Sequence, residues 1–259
     1  MPATLKHSPL IAIGIASALA AGSALVPHQY AEAQTAQAPA SEGFKLELKK
    51  GQVLQLIAPE EREEGKAARQ TYYQSAFPMA ERLGYQRHGQ LNMRQKIRSD
   101  YDPSLFVFFS WPDAAAVRAY RDDPKFSEFK RLRKEAWHEL KIYDKELTED
   151  LSLTFTPEKH YSVLLAWLDK GTRQDYTRYL EGIEPAVKRS GGRFIYKMID
   201  PTMQALNAPP GAPGQITFVE WETTDGFAKV QQSPEYREHQ TYFGSSVQRF
   251  EFYWLQTPR

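Results

Sequence analysis

Two stretches of the chain, each about 100 residues long, show the same succession of apolar and polar positions. Short apolar runs at Val53–Ile57 and Tyr161–Trp167 predict strands covered on both faces. Apolar positions at three-to-four spacing follow each run: Tyr73, Phe77 and Ala80 in the first stretch, Tyr176, Leu180, Ile183 and Val187 in the second. Both patterns predict an amphipathic helix. Pro78 and Pro185 should kink the last turns of these helices or start a new short one, and Gly84 and Gly191 should end them. Second strands are expected at Gly89–Arg94 and Phe194–Ile199, and third strands at Leu105–Trp111 and Gln215–Trp221. Asp113, and Thr223 or Thr224, then cap a second helix that restarts at Pro124 and Pro234. Leu140–Tyr143 and Arg249–Leu255 close the two stretches.

The two stretches also align residue by residue. A shift of about 110 positions lays Phe106-Val-Phe-Phe-Ser-Trp111 on Ile216-Thr-Phe-Val-Glu-Trp221, Pro124-Lys-Phe126 on Pro234-Glu-Tyr236, and Leu140-Lys-Ile-Tyr143 on Phe250-Glu-Phe-Tyr253. The chain therefore reads as a signal segment (1–33), a flexible leader (34–44), a first unit (45–150) ending in the turn Thr148-Glu149-Asp150, and a second unit (157–259). The order β-α-β-β-α-β is the ferredoxin-like split unit, an α+β arrangement with both helices on one face of a four-stranded sheet. In the last strand Phe250, Phe252 and Trp254 point one way, Tyr253 and Leu255 the other, so the second face is also apolar and needs a cover. The other unit is the cover. The expected architecture is two tandem units paired as an intramolecular dimeric α/β barrel, a monomeric pseudo-dimer.

Composition narrows the chemistry. With no Cys, thiol nucleophiles, disulfides, thiolate zinc sites and redox pairs are excluded. A balance of 33 Lys+Arg against 32 Asp+Glu argues against a nucleic-acid partner. The basic run Lys130-Arg-Leu-Arg-Lys134 reads as an amphipathic helix with solvated charges. Lys6 and His7 precede an uncharged run from Pro9 to Val26, and Ala31-Glu32-Ala33 supplies small residues before a cut at Gln34. This is a signal-peptide layout, with an uncleaved anchor as the alternative. It predicts an exported, periplasmic or secreted bacterial protein with no stable membrane span after processing. Gln34–Gly43, rich in Ala, Gln and Pro, has too little apolar surface to order itself.

Tyr176 and Tyr179 before Pro185, then Gly191-Gly-Arg-Phe-Ile195, Phe218-Val-Glu-Trp221 and Ser233-Pro-Glu-Tyr236 resemble a small bacterial domain of unknown function in the dimeric α/β-barrel superfamily. The resemblance covers nearly all of 160–255. The first unit looks like a degenerate relative, with Leu83-Gly-Tyr85 for Gly-Gly-Arg and Asp123-Pro-Lys-Phe126 for Ser-Pro-Glu-Tyr. It implies two sheets packed face to face. Wider relatives include monooxygenases, muconolactone isomerases, haem-degrading enzymes and chlorite dismutases, so the fold fixes no reaction.

His239 is the sharpest candidate for chemistry. It falls on the inward stripe of the second helix, where the first unit carries Phe129, and a neutral imidazole there could serve as a general base or a haem ligand. A hydrogen-bonded core histidine is the plainer reading. Arg193 could clasp a carboxylate, or simply make an ion pair near a helix end. Tyr176, Tyr179, Tyr236 and Tyr253 could line a pocket with phenol handles, or be ordinary core. No metal-ligand spacing is present, and no cofactor is identified. Three functions stay open: a small-molecule site between helices and sheet of the second unit, taking an apolar or carboxylate-bearing ligand; a non-catalytic interaction module with a filled barrel; or, as the resemblance implies, a haem-binding or monooxygenase-like enzyme of the same superfamily.

Overall fold

A computed structural model describes residues 43–207 and 211–258. The expected signal peptide and most of the leader lie outside the described residues. Gly43 and Phe44 do not: Phe44, placed by sequence at the end of the leader, opens a strand.

The first half forms β1 (Phe44–Leu48), β2 (Val53–Glu61), α1 (Lys66–Arg82), β3 (Gln86–Arg98), β4 (Leu105–Trp111), α2 (Ala114–Asp122), α3 (Pro124–Ala136) and β5 (Trp137–Glu146). The second forms β6 (Leu151–Phe155), β7 (His160–Leu168), α4 (Arg173–Arg189), β8 (Gly192–Ile199), β9 (Thr202–Gln204), β10 (Gln215–Trp221), α5 (Gly226–Gln231), α6 (Pro234–Ser246) and β11 (Val247–Gln256). Local chemistry sets many of these boundaries. Asp113 accepts a hydrogen bond from the Ala116 amide at 2.8 Å, Asp123 from Lys125 at 2.8 Å and Ser233 from Tyr236 at 3.1 Å, each satisfying an otherwise free first-turn donor. Asp225, rather than Thr223 or Thr224, precedes α5. Both 17-residue helices run unbroken through Pro78 and Pro185, where a new helix was a possible outcome. The residues four positions earlier, Gln74 and Glu181, are exposed, so water can take the carbonyls that proline leaves unpaired.

Nine strands form one sheet in the order β8-β10-β7-β11-β3-β4-β2-β5-β9. Its two halves, β8-β10-β7-β11 and β3-β4-β2-β5, are each a ferredoxin-like sheet. They join where Phe252–Gln256 of β11 pair with Asn92–Arg98 of β3. The ends of the sheet, β8 and β9, are separated in the chain only by Asp200 and Pro201, so the sheet closes on itself. Asp200 has φ of +48° and Pro201 has no amide hydrogen, which together break one strand into two: β8 pairs with β10, β9 with β5. This is the dimeric α/β-barrel architecture within one chain.

Strand alternation sorts the side chains. Leu54, Leu56, Phe106, Phe108, Tyr143, Tyr161, Val163, Leu165, Phe218 and Tyr253 fill the barrel, while Val53, Phe109, Trp111, Val219, Trp221 and Trp254 face the helices. A two-stranded ribbon, β1 with β6 in the register Phe44↔Phe155, adds Leu46, Leu48, Leu153 and Phe155 to the barrel core. Phe44 lies against β3 at Gly89, where a Cβ would stand 2.3 Å from the Phe44 ring.

In the first unit, the basic run is less solvated than its sequence suggests. Arg133 is buried, donating to the Tyr72 hydroxyl from Nε at 3.0 Å and Nη2 at 2.6 Å. Arg69, also buried, donates to the carbonyls of Arg62 and Ala136. These two arginines tie α1 to α3.

Candidate functional site

Three of the sequence-predicted site residues come together between the helices and sheet of the second unit. Tyr176 and Tyr179 of α4 have ring centroids 6.3 Å apart, and Tyr236 of α6 meets Tyr179 edge-on at 6.4 Å. Phe243 packs against both α4 tyrosines. Burial pushes the Tyr176 phenol well above its ordinary value, with the Thr217 hydroxyl pulling the other way, and pushes Tyr179 up as well. Such phenols stay protonated at neutral pH and offer hydrogen bonds, not base catalysis.

His239 stands at the same layer but is engaged by its own surroundings. Its Nδ1 donates to the Glu235 carbonyl at 2.9 Å, one turn back on α6. The ring lies over Gly182 of α4, so closely that a Cβ on Gly182 would stand 2.0 Å from Cδ2. The imidazole fills the α4–α6 contact, and Gly182 is the residue that makes room for it.

Tyr253 and Arg193 lie elsewhere. Tyr253 faces the barrel interior, on the side of β11 opposite the helices, because side chains two apart share a face and Tyr253 is one residue from Trp254. Its hydroxyl is 3.0 Å from Glu251 Oε2 and 2.7 Å from Ser99 Oγ. Arg193 is exposed and pairs with Glu220 across β8 and β10 at 3.1 Å, directly opposite in register. The six residues therefore do not surround one cavity. Among the described residues, no group of three or more His, Asp or Glu side chains could hold a metal ion.

A cleft opens instead at one end of the second unit, where β7 runs into α4. Trp167, Leu168, Asp169, Gly171 and Arg173 form one side, with Asp200, Ala212, Gly214 and Gln248 opposite, around a volume of about 260 Å³. The Arg173 guanidinium donates through Nη2 to Asp200 and to the Gly214 carbonyl at 3.2 Å. Its Nη1 is buried and has no partner among the described residues. The Trp167 indole donates to the Gly211 carbonyl at 2.9 Å, and Arg249 covers its ring, the guanidinium carbon 4.6 Å from the centroid. Sequence reasoning passed over this region because it is assembled from four separate segments, none carrying a motif. The one local signal was Asp200-Pro201, the break between β8 and β9.

The sequence matches no family model and no curated protein. Solved structures similar to the chain include an anthrone oxidase-like protein (12% identity, 83% of this chain and 96% of that one, TM-score 0.48). A chlorite dismutase variant from Candidatus Nitrospira defluvii is similar at 10% identity over 81% of this chain and 93% of its own, TM-score 0.42. A dimeric protein of unknown function and ferredoxin-like fold from Bacteroides fragilis matches 39% of this chain with its entire length, at 9% identity and TM-score 0.29. At these identities the likeness concerns the fold alone.

Proposed function

We propose that this chain is an exported bacterial protein, a tandem repeat of one small domain folded as a monomer, that binds a small molecule in the cleft beside Arg173. The layer between helices and sheet of the second unit serves as core. The observation that carries this reading is the cleft itself, about 260 Å³ with the Arg173 guanidinium in its wall, held there by Asp200 and the Gly214 carbonyl. A guanidinium in the wall of a cleft can donate charge-assisted hydrogen bonds to a ligand oxygen. Export is supported by the uncharged run Pro9–Val26 and the Ala31-Glu32-Ala33 site.

Native mass spectrometry of protein recovered from the periplasm tests the reading. It should show a bound small molecule that is absent from Arg173→Met. Protein carrying none, and no saturable ligand from a metabolite extract, would overturn it.

A second reading, a non-catalytic interaction module, is favoured by the close packing of Tyr176, Tyr179, Tyr236 and Phe243 where a pocket was expected. It predicts unliganded protein and a binding partner lost on surface substitution rather than on Arg173→Met.

A further inference from the structure

We infer that the barrel-facing surface of each unit is built to pair with the opposite unit and to refuse a copy of itself, through charges of opposite sign at matching positions of β5 and β11. This selection rests on the chain being two units of one kind folded as a monomer.

The strands β5 (Trp137–Glu146) and β11 (Val247–Gln256) match residue for residue, 110 positions apart. Every second side chain shares a face, and Tyr143 of one strand matches Tyr253 of the other inside the barrel. Two and four positions before these tyrosines the match reverses in sign. Lys141 stands where the second unit has Glu251, and Glu139 where it has Arg249. The residues between them keep their apolar character, Leu140 matching Phe250 and Ile142 matching Phe252.

Both first-unit residues of the reversed positions touch the second unit. Lys141 Nζ lies 2.9 Å from Glu251 Oε1 with both side chains buried, so matching positions meet each other across the barrel. Glu139 accepts from the backbone amides of Leu206 at 2.7 Å and Asn207 at 3.2 Å.

Pairing of like units would undo these contacts. Two first units would bring Lys141 against Lys141, like charges held away from water. Two second units would bring Glu251 against Glu251. They would also set Arg249, which has donors only, against the Leu206 and Asn207 amides that Glu139 satisfies. Opposite units avoid both conflicts, whether they belong to one chain or to two. Connectivity alone does not enforce the choice: residues 147–159, which link β5 to β7, reach about 45 Å when extended. Like-charge contacts at matching positions supply the missing discrimination.

The test uses the whole mature chain. Isotopically light and heavy preparations are mixed, unfolded in denaturant, refolded together and cross-linked. Mixed-isotope links report contacts between chains, and the quantity read is the ratio of links joining like units to links joining opposite units. In the parent, like-unit links should stay at background. In Lys141→Met with Glu251→Met, and in Lys141→Gln with Glu251→Gln, the ratio should rise about tenfold or more, because the like-charge penalty is gone. Thermal unfolding of the same samples separates this from stability: a pair that only stabilises would lower the unfolding temperature and leave the ratio unchanged. Arg193→Met, which removes an exposed ion pair away from the seam, should behave as the parent does. An unchanged ratio in the neutral variants would overturn the selection and leave the monomeric two-unit reading intact. Failure of both neutral pairs to refold would make the contact a requirement of folding instead of a choice of partner, and would overturn it too. A parent chain that itself pairs through like units would overturn both the selection and the monomer.

Discussion

Lys141 on β5 and Glu251 on β11 meet inside the barrel, Nζ to Oε1 at 2.9 Å, and they occupy equivalent places in the two units, 110 residues apart. Both side chains are almost fully buried. Glu251 Oε1 also accepts from Arg249 at 2.7 Å, Oε2 lies 3.0 Å from the Tyr253 hydroxyl, and Lys141 Nζ sits 3.9 Å from the centroid of Tyr101. The contact bridges the two units. Two identical units would bring like charges together at this position, whereas lysine in one and glutamate in the other are complementary.

This arrangement has a measurable signature. Removing one partner of a buried pair typically costs about 3–5 kcal/mol, because the other charge is left behind. Lys141→Met should fall at the lower end, since Arg249 still reaches the same carboxylate oxygen. The double variant Lys141→Met with Glu251→Met should recover part of that loss, as hydrophobic replacement of a buried pair often does. Denaturant unfolding of the four proteins closes the cycle. Additive losses would mean that the two side chains do not interact.

At Gly182 the packing of His239 can be tested without touching the imidazole. Alanine in a helix interior is normally favoured over glycine by about 1 kcal/mol. Here the added methyl would collide with the ring, so Gly182→Ala should destabilise by about 1–3 kcal/mol. Adding His239→Ala should relieve it. A stabilised Gly182→Ala would show that His239 does not rest there, and would reopen its candidacy for chemistry.

His88 links the first unit to pH. Its Nε2 is 2.8 Å from Ser110 Oγ on the neighbouring strand, and partial burial holds its pKa below the ordinary histidine value. Protonation is therefore easier in the unfolded chain. The stability associated with neutral His88 is complete above the unfolded pKa, about 6.5, and is lost as pH falls through the lower folded value. Unfolding measured at pH 7.5 and pH 5 should show a loss that shrinks in His88→Gln. An unchanged difference would assign the pH dependence to other groups.

Much of the fold was legible in the sequence for a simple physical reason: strands and helices buried on a defined face must carry periodic apolar residues. The third strands Leu105–Trp111 and Gln215–Trp221 were read at their observed limits. What escaped was made by contacts distant in sequence. Phe44-Lys-Leu-Glu-Leu48 and Leu151-Ser-Leu-Thr-Phe155 alternate as strands should, but each is stable only because the other pairs with it. The grouping of Tyr176, Tyr179 and Tyr236 followed from helical spacing. Gly182 beneath His239, and the convergence of Arg173, Asp200 and Gln248, depend on how separate elements approach, which no periodicity encodes.

The ribbon gives the last prediction. Leu46 and Leu48 are almost inaccessible to solvent, and Phe44 stacks on Phe155 with centroids 4.6 Å apart. A chain beginning at Gly43 keeps every apolar side chain of the ribbon and is the reference for a shorter one. A chain beginning at Lys49 loses three apolar side chains from the barrel. At about 1.5–3 kcal/mol each, the loss is roughly 5–9 kcal/mol. That is comparable to the entire stability of an ordinary domain, about 5–15 kcal/mol, and β6 would keep an unpaired edge open to other chains. The Lys49 chain should therefore unfold or aggregate at room temperature. Gly89→Ala, which pushes Phe44 off β3 without removing it, should give a milder loss of about 1–3 kcal/mol. Thermal unfolding of the two truncations and the one substitution ranks them; a Lys49 chain as stable as the Gly43 chain would show that the ribbon is not part of the barrel core.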